Sequence, residues 1–129
     1  MGLFRNEFLI RPADYRTAAV SLIKSGLVEP GYGDAESVCK KAITDALRRS
    51  GLFCTFTGRG CELIRGEDWM TEETIDFMEQ VFKTISKAVV VGACVEFIGG
   101  NTFVRYDFLY DTVERCTVPH ILYTRREVI

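Results

Sequence analysis

The hydrophobic period of this chain changes abruptly at Ser50-Gly51, and that change constrains what the chain can fold into. Before it, Ala35, Val38, Cys39, Ala42, Ile43, Ala46 and Leu47 recur at three- and four-residue spacing. They make a one-sided apolar stripe, with Lys40, Lys41, Thr44, Asp45, Arg48 and Arg49 on the other face. The spacing predicts a helix with Asp34 as its N-cap and two arginines at its negative end. After Ser50-Gly51, residues 52–57 are aromatic and β-branched, Gly58-Arg59-Gly60 turns, and residues 61–65 return. That is a β-hairpin. A helical stripe followed directly by a hairpin predicts helices packed on antiparallel strands.

The same grammar extends in both directions. Upstream, residues 3–10 predict a first strand, and Pro12 opens a helix bearing Tyr15, Ala18, Ala19, Leu22 and Ile23 on one side. Gly26 suits the position just past its end. Downstream, Thr71 caps a third helix, with Glu72 and Glu73 in its first turn and Met70 and Ile75 at staple positions. Ile75, Met78, Val81, Phe82 and Ile85 form its stripe. The tail predicts strands over residues 88–98, 102–110, 113–118 and 121–124. Val104, Tyr106, Phe108 and Tyr110 share one face of the second of these, and Phe103, Arg105 and Asp107 the other. The expected fold is a single α+β domain over residues 1–129: about three helices on a mostly antiparallel sheet of five to six strands.

Composition excludes several classes. Hydrophobic content of 47% with 26% charged residues is globular. The net charge of −2 and the scattered basic pairs give no footprint for non-specific nucleic-acid binding. The apolar runs are too short for a membrane span, and no secretory signal is evident. Five cysteines without a Cys-x-x-Cys, beside one histidine, do not spell a zinc site. They read as free thiols in a reducing cytoplasm. No cofactor and no metal are expected.

The most site-like stretch is the hairpin. Gly58 and Gly60 expose backbone amides to an anion, with Arg59 and Arg65 as partners for it. The spacing lacks the third glycine of a dinucleotide fingerprint and the Lys-Ser/Thr of a phosphate loop. A turn that needs positive φ explains the glycines equally well.

The run Leu22-Ile-Lys-Ser-Gly-Leu-Val-Glu-Pro-Gly-Tyr32, followed by Ala35-Glu-x-Val38 and then Gly58-Arg-Gly60, resembles the N-terminal part of mannitol/fructose-type enzyme IIA domains of the sugar phosphotransferase system. The resemblance implies a helix, a Leu-Val-x-x-Gly-Tyr connector, a second helix, and a Gly-x-Gly with Pro-His-Gly downstream. In that spacing Ile64, Arg65 and Gly66 stand at Pro-His-Gly, so the phosphorylated histidine is absent. The helix predicted over residues 72–87 stands where that family continues with strand. No catalytic role is carried over.

Two further groupings carry chemistry. His120 with Cys61 or Cys116 has the residue types of a Cys-His nucleophile pair, without a local signature. Trp69, Glu72, Glu73 and Tyr106 have the residue types of a protein-binding surface, since the one tryptophan sits in a polar connector beside acidic residues. Acids at a helix start also serve the helix itself. The expected function is a small non-catalytic cytoplasmic interaction protein, such as an inhibitor, immunity or regulatory protein of bacterial or phage type. Its expected partner is a protein, a second copy included. The alternative is a binding module for a small anion, a nucleotide or phosphate, at the Gly58–Arg65 hairpin.

Overall fold

The computed structural model describes residues 2–31, 35–100 and 102–119. The Asp34 cap, His120, Tyr123 and the strand expected over 121–124 lie outside these residues. The element order is β1 (Gly2–Asn6), β2 (Leu9–Ile10), α1 (Tyr15–Lys24), α2 (Ala35–Arg49), β3 (Leu52–Phe56), β4 (Cys61–Gly66), α3 (Glu72–Ile85), β5 (Cys94–Gly99), β6 (Thr102–Phe108) and β7 (Val113–Pro119). The three expected helices form, with ends set by local chemistry. After α1, Gly26 takes φ +76°; its amide bonds the Ile23 carbonyl and that of Leu27 bonds Leu22, a Schellman closure. Thr71 caps α3 by accepting a hydrogen bond from the Thr74 amide at 3.1 Å.

The described strands number seven and lie in two antiparallel sheets, one ordered β1-β5-β6-β7 and the other β2-β4-β3. The sequence led to one sheet of five to six strands. The difference begins at residues 3–10, which form two strands rather than one. Asn6 bends the ribbon by accepting a hydrogen bond from the Phe8 amide at 3.0 Å. Residues before the bend pair with β5, Leu3 opposite Phe97. Residues after it pair with β4, Ile10 opposite Cys61. The opening ribbon is thus the joint between the sheets. The run at 88–98 also divides: Val89 bridges to Ile10, Gly92 turns at φ +86°, and β5 starts only at Cys94.

The core lies between the helices and one face of the sheets. Ala18, Leu22, Ile43, Leu47, Met78, Phe82 and Ile85 supply the helical side, and Leu52, Val95, Phe97, Tyr106 and Phe108 the sheet side. Phe82 is its hub, meeting Phe108 and Tyr106 edge-on at 5.1 and 5.4 Å between centroids. Tyr110 leaves the face it was expected to share: it turns out at φ +73° and is half exposed. Among the described residues no helix is long and apolar enough to cross a membrane.

Candidate functional site

The hairpin does not gather its two arginines. Arg59 stands in the turn, where its guanidinium pairs with Glu62 at 3.3 Å. Arg65 stands at the far end of β4, opposite Phe53, with its guanidinium 3.8 Å from the centre of that ring. An extended strand puts those positions roughly 20 Å apart. Arg48 of α2 also lies over the Phe53 ring, at 4.1 Å. The glycines have separate explanations. A Cβ on Gly60, at φ +142°, would fall 2.1 Å from the Ile10 carbonyl oxygen, whereas one on Gly58 would meet nothing within 4 Å. Gly60 is therefore required for β2 to approach β4.

Trp69 is held quite differently. It is 86% exposed, the most exposed of the large hydrophobic side chains among the described residues. Yet its connector is fixed on both sides. The Glu67 amide bonds the Gly51 carbonyl at 2.8 Å, and the Glu67 carboxylate pairs with Arg48 at 3.1 Å. Met70, the next residue, is buried, and Thr71 begins α3. The indole thus stands in solvent on a backbone tied to α2 and α3. Glu72 and Glu73, both exposed, follow it in the first turn of α3.

Tyr106 does not join this surface. Its ring is buried against Phe82 and Phe97, and its hydroxyl donates to Glu79 at 2.6 Å. Arg115 of β7 donates to the same carboxylate oxygen, also at 2.6 Å. With Lys83 and Val113 these groups line a cavity of about 280 Å³ between α3 and the last strands. Burial pushes the Glu79 carboxyl up, but the hydrogen bonds from Tyr106 and Arg115 and the charges of Arg115 and Lys83 outweigh it and hold it below its usual value. Burial and the Glu79 carboxylate both push the Tyr106 phenol up, so it stays a donor.

One polar cluster was not anticipated. Glu96 is 1% exposed on the sheet face turned away from the core. Arg5 grips it with two nitrogens, at 2.9 and 3.2 Å, and Arg105 adds a third contact at 3.0 Å while also bonding Asp107. Beside it the Cys94 thiol donates to Glu7 at 3.3 Å. The sequence signal was present: one carboxylate inside the apolar run Cys-Val-Glu-Phe-Ile. A buried carboxylate needs cationic partners, and the strands on both sides supply them.

Cys61 and Cys116 do not converge. Cys61 is buried in β4, while Cys116 is exposed on β7, the far strand of the other sheet. Compared with known protein families, with curated proteins and with solved structures, the chain matches none. The resemblance to the enzyme IIA domains accordingly rests on the quoted residues alone, with Arg65 at the histidine position stacked on Phe53.

Proposed function

We propose that this protein acts by binding another protein, through a surface built on Trp69 with Glu72 and Glu73 beside it. The observation that carries the reading is an exposed indole on a pinned backbone. Free tryptophan surface costs solvation, and a fixed one loses little conformational entropy on docking. Interfaces concentrate their energy in such aromatic anchors. The partner is a protein with an apolar socket rimmed by basic side chains, since Glu72 and Glu73 add negative charge next to the indole. A non-catalytic inhibitor, immunity or regulatory role fits an action by contact alone, and a reducing cytoplasm suits five free thiols.

The experiment compares the wild-type chain with Trp69→Ala and with Glu72→Lys/Glu73→Lys. Proteins retained from native host extract by the wild type are identified, and sedimentation velocity tests for a second copy as the partner. Trp69→Ala is expected to weaken the complex by roughly thirtyfold, about 2 kcal/mol. The charge reversal is expected to slow association most at low salt. Equal affinity for all three proteins would remove Trp69 from the interface.

A further inference from the structure

The hairpin holds a feature that neither the anion reading nor the partner surface uses. In its register Cys54 stands opposite Leu63 and Cys61 opposite Phe56. Cys54 and Cys61 are therefore diagonal neighbours on one face, next to a local irregularity in the pairing at Phe53/Cys54. That face is turned toward α2 and α1. Cys61 is fully buried, Cys54 half-buried, and Phe56 between them in sequence packs edge-on against Tyr15. The register sets the two thiols on one patch of that face, where each alters the other's hold on its proton. From α2 the Thr44 hydroxyl lies 3.9 Å from the Cys54 sulfur. The other thiols are placed differently: Cys39 on α2, Cys94 bonded to Glu7, and Cys116 exposed on β7.

We propose that Cys54 and Cys61 form an oxidisable dithiol, in which Cys54 reacts with a peroxide and Cys61 closes a disulfide. The asymmetry of the pair assigns the roles. Cys54 has the access and the Thr44 hydroxyl beside its sulfur, whereas Cys61 is sealed beneath the hairpin. The neighbouring Cys61 thiol and the Thr44 hydroxyl favour the Cys54 thiolate over the opposing effect of burial, bringing it down to about 7. The neighbouring Cys54 sulfur, together with burial, keeps the proton on Cys61.

In the first step the Cys54 thiolate attacks one peroxide oxygen, the O–O bond breaks, and hydroxide leaves and is protonated to water. Cys54 is left as a sulfenic acid. In the second, the Cys61 sulfur attacks the Cys54 sulfur. The S–S bond forms, the S–O bond breaks, and the departing hydroxide takes the Cys61 proton as a second water. Two thiols have lost two electrons and two protons, and hydrogen peroxide has become two waters. An external dithiol returns the electrons by exchange.

Arg59 lies between the two cysteines, so trypsin separates them. Cleavage after Arg49, Arg59 and Arg65 releases one peptide carrying Cys54 and another carrying Cys61. The folded protein is treated with hydrogen peroxide, alkylated, digested without reductant and mapped by mass. The expected result is these two peptides joined, two hydrogens lighter than their sum, and separated again by dithiothreitol. Titratable thiols fall by two from the five in the chain. Cys61→Ser is expected to leave a sulfenic acid on Cys54 that dimedone captures. Cys54→Ser is expected to leave Cys61 reduced. If Cys61→Ser does not fold, the wild-type map decides by itself. Oxidation that leaves the peptides unlinked, that joins either cysteine to Cys39 or Cys116, or that links the pair equally well in denaturing urea would overturn the proposal.

Discussion

Gly60 carries the ribbon joint at the scale of one residue. The Ile10 carbonyl sits against its α-carbon where a methyl group would need to be. Gly60→Ala combines that backbone clash with a φ that L-residues avoid, so it is expected to cost about 3 kcal/mol. Gly58→Ala, two positions away, meets open space and is expected to change stability by less than about 0.5 kcal/mol. Urea midpoints of the two variants check the contrast, and equal midpoints would refute it. The sequence showed that glycine was needed in this turn but not which one, because the reason lies in a strand fifty residues earlier. Glu96 makes the same point with charge. A lone acid in an apolar run announces a buried carboxylate. Its partners Arg5 and Arg105 become visible only once β1 and β6 flank β5.

At the scale of elements, α3 shows what local chemistry can specify. Its cap, acidic first turn and stripe are all contiguous, and the structure follows them. Thr71→Ala is expected to lower stability by about 1 kcal/mol, read from thermal or urea unfolding. Its tether to the tail was not legible, since Glu79 meets Tyr106 and Arg115 only across the fold. That tether carries a pH signature. The folded Glu79 carboxyl lies below its ordinary value of 4.5, so its contribution is present above that value and is lost as pH falls through the folded one. Relative to Glu79→Gln, the wild type is expected to hold a constant advantage between about pH 6 and 8 that shrinks below about pH 4.5. An advantage unchanged in acid would show that the carboxylate charge is not what matters. The sheets were less legible than the helices. Period-2 patterning cannot reveal that one apolar ribbon bends at Asn6 to serve two partners, nor that the run before Cys94 spends its first residues on a turn.

At the scale of the molecule, the helices shield one face of the sheets, and the three chemically distinctive features stand in different places. Trp69 stands at the junction of hairpin and α3, the Glu96 cluster on the outward sheet face, and the dithiol inside the hairpin. The anion reading needed Arg59 and Arg65 together, and the length of β4 keeps them apart. The partner reading needed Trp69 exposed, which it is, and Tyr106 beside it, which the core has claimed. The ribbon joint has a consequence in time as well as in space. Its partners, β4 and above all β5, are synthesised long after it. At about 5–20 residues per second, Leu3, Phe4, Phe8, Leu9 and Ile10 wait on the order of seconds without a strand to pair with. α1, α2 and the β3–β4 hairpin are complete during that interval. The seating of this ribbon thus waits on strands made much later, and two nascent copies held close together would be able to trade it.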